Sequence, residues 1–118
     1  MKTSELTGAA LDWAVAKCEG NCEGDFSWYY DRRDTFNYST DWAQGGPIIE
    51  REGIDVHRVN PGLWSAKWWA NNSGMAKNPA QRFKHNITTD GPTPLIAAMR
   101  CYVASKLGDE VNLPGELA

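Results

Sequence analysis

The sequence predicts an α+β domain: a small antiparallel sheet of about three strands packed with N- and C-terminal helices and a short central helix. Three observations carry this. A broad apolar arc repeats at helical spacing near the N-terminus. Period-two alternation runs on both sides of Asn60-Pro61-Gly62. A helix with both ends punctuated lies between Thr93 and Gly108. The chain has 118 residues, the length of one ordinary domain, and no linker or repeat divides it.

The first helix is expected from about Ser4 to Cys18. Leu6, Ala9, Ala10, Leu11, Trp13, Ala14, Val15 and Cys18 fill the arc, and Glu5, Gly8, Asp12 and Glu19 share a narrow polar strip. So little polar surface predicts burial on more than one side. Residues 19–40 read as an irregular, hairpin-like excursion. Phe26, Trp28 and Tyr30 alternate as one strand, and Phe36 and Tyr38 suit a return strand.

Residues 41–53 carry two helix-start signals. Asp41 is a good cap for a turn beginning at Trp42. Gly46-Pro47 offers a second start, and Gly53 a stop. A short or broken helix ending at Glu52 is expected, with a strand Ile48 to Glu52 as the alternative because β-branched residues lead it. The firmest β expectation is the hairpin of Ile54–Val59 with Leu63–Ala70 across the Asn60-Pro61-Gly62 turn. Trp64, Ala66 and Trp68 face one way, and Ser65, Lys67 and Trp69 the other. A polar loop follows, then a third strand in which Phe83, His85 and Ile87 alternate.

In the last helix Thr93 caps, Pro94 takes the first position and Gly108 ends the run. Leu95, Ile96, Met99, Val103 and Leu107 make an apolar stripe. Ala97, Cys101, Ala104 and Ser105 make a face small enough for another backbone to approach. Its expected cover is the first helix or a second copy of the chain in a two-fold homodimer. The tail 109–118 is expected to be loosely held.

Composition narrows the chemistry. A net charge of −3 disfavours a duplex nucleic-acid partner, which usually calls for a basic surplus. No apolar run long enough for a membrane span or a signal peptide occurs, so a cytoplasmic protein is expected. The odd count of three cysteines then predicts reduced thiols rather than a disulfide framework. Cys18 and Cys22 are spaced too widely for an ordinary zinc knuckle, so no metal or other cofactor is expected. Nothing marks His57 or His85 as a base for a cysteine nucleophile, and Asp41, Glu50 and Glu52 have structural readings as cap and helix surface. No catalytic residue is assigned. Gln44-Gly45-Gly46 resembles an anion-binding turn but lacks the lysine of a phosphate loop, and reads better as a bend.

Six tryptophans exceed ordinary usage, and burial in the core explains most of them. The residues best suited to a ligand are Thr40, Asp41, Trp42 and Gln44 at a helix start, Trp64 and Trp68 as stacking area, and Arg100 as a cation. Free N–H donors, adaptable polar groups and aromatic surface together suit a small anionic, planar ligand.

Three blocks resemble a known family: Lys2 to Ala16; Ser39-Thr40-Asp41-Trp42-Ala43-Gln44-Gly45-Gly46-Pro47 with Ile48-Ile49-Glu50; and Gly91 to Gly108. In this order they are similar to the NinX-type phage proteins, small proteins from accessory regions of tailed-phage genomes. More distantly, the succession of elements is similar to phage domains described as α-β-α sandwiches. The resemblance implies a phage accessory protein working in the bacterial host cytoplasm. It brings no catalytic or ligand residues, since the family has no assigned activity. The expected function is non-enzymatic: binding a host protein, or sequestering a small nucleotide-like ligand, in counter-defence or host modulation. The alternative is an enzyme or nucleic-acid-processing factor of phage recombination.

Overall fold

The computed structural model describes residues 1–20, 35–68 and 86–113. The expected strand Phe26 to Tyr30 and the polar loop after Ala70 lie outside them. Among the described residues the α+β class holds: three helices and one three-stranded antiparallel sheet.

The first helix starts later than the apolar arc suggests. Thr3–Glu5 form a single 3-10 turn, Leu6 and Thr7 are extended, and helix α1 runs over Gly8–Cys18. Gly8 has φ +57°, a left-handed backbone that a right-handed helix cannot run through. Asp12, placed by the helical wheel on the polar strip, is in fact buried, and accepts from the Ser39 backbone N–H at 2.8 Å. Phe36 and Tyr38 do not form a return strand. Their rings stack at 6.1 Å, and residues 38–40 turn, with the Thr40 and Asp41 amides both donating to Asn37 O.

Helix α2 is a single run, Trp42–Glu52, which excludes the strand alternative. Asp41 Oδ1 caps the Ala43 amide at 2.9 Å. Gly53, at φ 64°, ends the helix: its amide donates to Glu50 O and the Ile54 amide to Ile49 O, the paired bonds of a Schellman stop. Pro47 stands inside the helix rather than starting a second one. The carbonyl its missing N–H leaves unpaired belongs to Ala43, an exposed residue within reach of water.

Strands β1 (Asp55–Asn60), β2 (Leu63–Trp68) and β3 (Ile87–Gly91) lie in the order β1-β2-β3. The hairpin turns through Gly62 at φ +85°. Ala66 sits opposite Val56 on one side and Thr89 on the other, which puts Trp64, Ala66, Trp68 and Ile87 on the face toward the core. The third strand extends four residues beyond Ile87; Phe83 and His85 lie outside the described residues.

Helix α3, Pro94–Leu107, is the middle layer. It packs on the sheet, while α1 and α2 pack on it. Among the described residues the layer order is therefore sheet, helix, helices. The reason lies in α3, whose stripe (Leu95, Met99, Val103) and small face (Ala97, Cys101, Ala104) are both buried. The small face meets β3 rather than α1. A Cβ on Gly91 would lie 2.8 Å from Ala97 N, and Thr89 Oγ1 donates to Ala97 O at 2.8 Å. The buried part of that face, Ala97, Cys101 and Ala104, is thus covered within the chain.

Of the tail 109–118, residues 114–118 lie outside the described residues, and the part next to Gly108 is tied to the N-terminus. The Met1 and Val111 backbones exchange two bonds, Thr3 N donates to Asp109 O at 2.8 Å, and Thr3 Oγ1 donates to Gly108 O at 2.6 Å. Val111 is buried in the core.

Candidate functional site

The residues proposed from sequence fall into three places. Thr40, Asp41, Trp42 and Gln44 stay together at the start of α2, where their polar capacity is largely spent locally. Asp41 Oδ1 caps Ala43, Asp41 Oδ2 takes Gln44 Nε2 at 3.4 Å, and Gln44 Oε1 accepts the Asn37 amide at 2.8 Å. Trp42 is 55% exposed. Gly45 belongs to packing, because a Cβ there would meet Leu95 Cδ1 at 2.5 Å and Tyr38 O at 2.6 Å. Trp64 and Trp68 are half-buried against the core. Arg100 is elsewhere again, donating from Nε to Leu6 O and from Nη1 to Asp90 O, each at 2.7 Å.

On the outer face of the sheet, register places His57, Ser65 and Asp90 in one row across the three strands. A nucleophilic relay needs the histidine between serine and carboxylate and hydrogen-bonded to both. Here serine is central and no hydrogen bond joins the three. Both described thiols are poor nucleophiles, since burial pushes Cys18 and Cys101 each up to about 12. Among the described residues no cluster of three or more His, Cys, Asp or Glu could hold a metal ion.

A conspicuous polar cluster ties the C-terminal ends of the three helices. Arg51 makes a bidentate pair with Glu19 (3.1 and 2.7 Å), a second contact to Glu52 at 3.0 Å, and one to Tyr102 Oη at 3.2 Å. Tyr102 donates to Glu19, and Lys106 pairs with Glu52 at 3.5 Å. Hydrogen bonds from Arg51 hold the Glu19 carboxyl below its ordinary range, while burial and Glu19 raise the Tyr102 phenol. This saturated network is a clamp between helices. Sequence reading could not find it, because Tyr102 and Glu19, bonded within it, are 83 residues apart.

The open site lies along β3. Within the described sheet, β3 has β2 on one side and no strand on the other. Arg100 reaches the Asp90 carbonyl, so Asp90 turns its backbone to the open side, and by strand alternation so does Thr88. Two adjoining cavities follow this edge. One of about 430 Å³ separates Ile87–Thr89 from Lys2, Thr3 and Ser4, with Ala104, Asp109 and Glu110 closing it. The other, about 500 Å³, runs past Asp90, Gly91 and Pro92 to Gly62, Leu63 and Arg100. Ser4, Thr88 and Thr89 line both. Of the residues proposed from sequence, only Arg100 lines this trough. The pair of β-branched residues before Gly91-Pro92 was the signal that could have located the strand and its edge.

The sequence pattern described as Bacteriophage P22, NinX matches residues 2–106. The chain belongs to the NinX family. No curated protein matches it at a significant level. Membership makes it a phage accessory protein, and the NinX match runs from the first 3-10 turn into the last turn of α3. Among the described residues no helix is long and apolar enough to cross a membrane.

Proposed function

We propose that this NinX protein is a non-catalytic binding module of the host cytoplasm that captures an extended segment of a host protein as an added strand beside β3. The observation that carries the reading is the open edge itself: the outward backbone groups of Thr88 and Asp90 face a trough with polar walls. Unpaired edges template strand addition, and main-chain bonds supply the affinity. Mixed charge along the trough (Lys2 and Arg100 against Asp90, Asp109 and Glu110) suits a polypeptide better than a small anion. The small planar ligand is the weaker reading, since the described cavities avoid Asp41 and Trp42. Catalysis is weaker still, since the described residues offer neither a relay nor a reactive thiol.

The test is Thr88→Pro. Proline at an outward-facing edge position removes no bond to β2, yet it abolishes the N–H offered to a new strand. Host proteins captured by the wild type from infected cells should be lost with the variant, with the melting temperature nearly unchanged. Equal capture by a folded Thr88→Pro protein rejects strand addition.

A further inference from the structure

We infer that the segment added beside β3 carries an aspartate or glutamate side chain that seats on Arg100. This rests on the strand-addition reading and specifies its partner. Arg100 is half-buried in the trough wall, yet its two hydrogen bonds go to neutral carbonyls, Leu6 O and Asp90 O. Among the described residues no carboxylate stands within ion-pair distance of it, and Asp90 attracts it only from further away. Among the described residues Nη2 donates to nothing. Burial lowers the guanidinium pKa from its ordinary value, and the more distant charge of Asp90 offsets this only in part.

A carboxylate arriving at Nη2 would complete a charge-assisted pair in a sheltered place, where such bonds are strong. The trough continues on both sides of Arg100, toward Gly62 and Pro92 one way and toward Thr88 and Ile87 the other. A chain therefore passes Arg100 rather than ending on it, which favours a side-chain carboxylate over a terminal one. Asp109 and Glu110 stand where the trough meets Lys2, so the acid preference is confined to one position.

Displayed random peptides of about six residues, the length of an ordinary strand, can be selected on the wild type, Arg100→Gln and Arg100→Lys. Binding is then mapped on the backbone amides of Ile87 to Gly91. The expected result is a family of peptides that shift those amides and share Asp or Glu at one fixed position. Replacing that acid by its amide should weaken wild-type binding by roughly tenfold or more, as for loss of a charge-assisted bond. Arg100→Gln should select no acid, and Arg100→Lys should keep a weaker preference. If Arg100→Gln does not fold, the acid-to-amide comparison on the wild type and the Arg100→Lys selection decide. Peptides that map to β3 with no fixed acid overturn the Arg100 assignment and leave strand addition standing. Failure to select any peptide that maps to β3 overturns both.

Discussion

Asp12 shows how one buried group shapes stability. Burial raises its pKa above the ordinary 3.8, opposed by the hydrogen bond it accepts from Ser39. Because the folded-state pKa lies above the unfolded one, the folded protein binds more protons between the two values. Stability then falls as pH rises through that window and is flat above it. Glu19 acts oppositely: its depressed pKa stabilises the fold above 4.5, and that contribution is lost as pH falls. Asp12→Asn keeps an acceptor for Ser39 N and removes the proton. The difference between wild-type and Asp12→Asn unfolding free energies should therefore slope only above pH 3.8, downward with pH. An unchanged difference across that range refutes the assignment. At Gly45 the constraint is steric. Leu95 can rotate away from an added methyl group, but the Tyr38 carbonyl cannot, so Gly45→Ala should cost about 1–3 kcal/mol by urea denaturation.

The helices are secured at their ends by local chemistry and at one end by the shared clamp. Asp41→Ala removes the cap of α2 and should cost about 1 kcal/mol in denaturant unfolding. Tyr102→Phe deletes the hydroxyl that joins α3 to Glu19 and Arg51, at a position where the ring is already buried. A loss of about 1 kcal/mol is expected from the missing hydrogen bond. The Arg51 side chain is half exposed, so solvent screens its ion pairs, and Glu52→Gln should change stability less than Tyr102→Phe. The reverse order would show that the ion pairs, not the phenol, hold the clamp. Along the sheet, β3 is held from behind by α3 through Thr89 and Gly91.

Across the molecule, the two ends of the chain make one structure. Met1 and Thr3 pair with Asp109 and Val111, and this short ribbon forms the far wall of the trough. Removing everything after Gly108 should therefore lower stability by about 2 kcal/mol, the order expected for exposing a buried valine. The same truncation takes away Asp109 and Glu110, and should weaken any peptide bound along β3. Truncation without effect on the melting temperature would mean that the ribbon contributes nothing.

The α+β class, the hairpin around Gly62 and the limits of α2 and α3 were legible in the sequence because they rest on local chemistry. Asp41, Gly53, Thr93, Pro94 and Gly108 each satisfy or end a backbone within a few residues of themselves. Three features depended on contacts between distant segments, where periodicity carries no information. Asp12 looked like surface until Ser39 reached it. The small face of α3 had the first helix or a second copy as candidate covers, and Gly91 lets β3 approach it. Arg100 looked like a partner for Trp42, yet α3 turns it to Leu6 and Asp90. A helical wheel states which side chains share a face, but only the packed chain decides what that face meets. The candidate site exists for that reason alone: its walls come from residues 2–4, 62–63, 87–92, 100, 104 and 109–110, brought together by the tertiary fold.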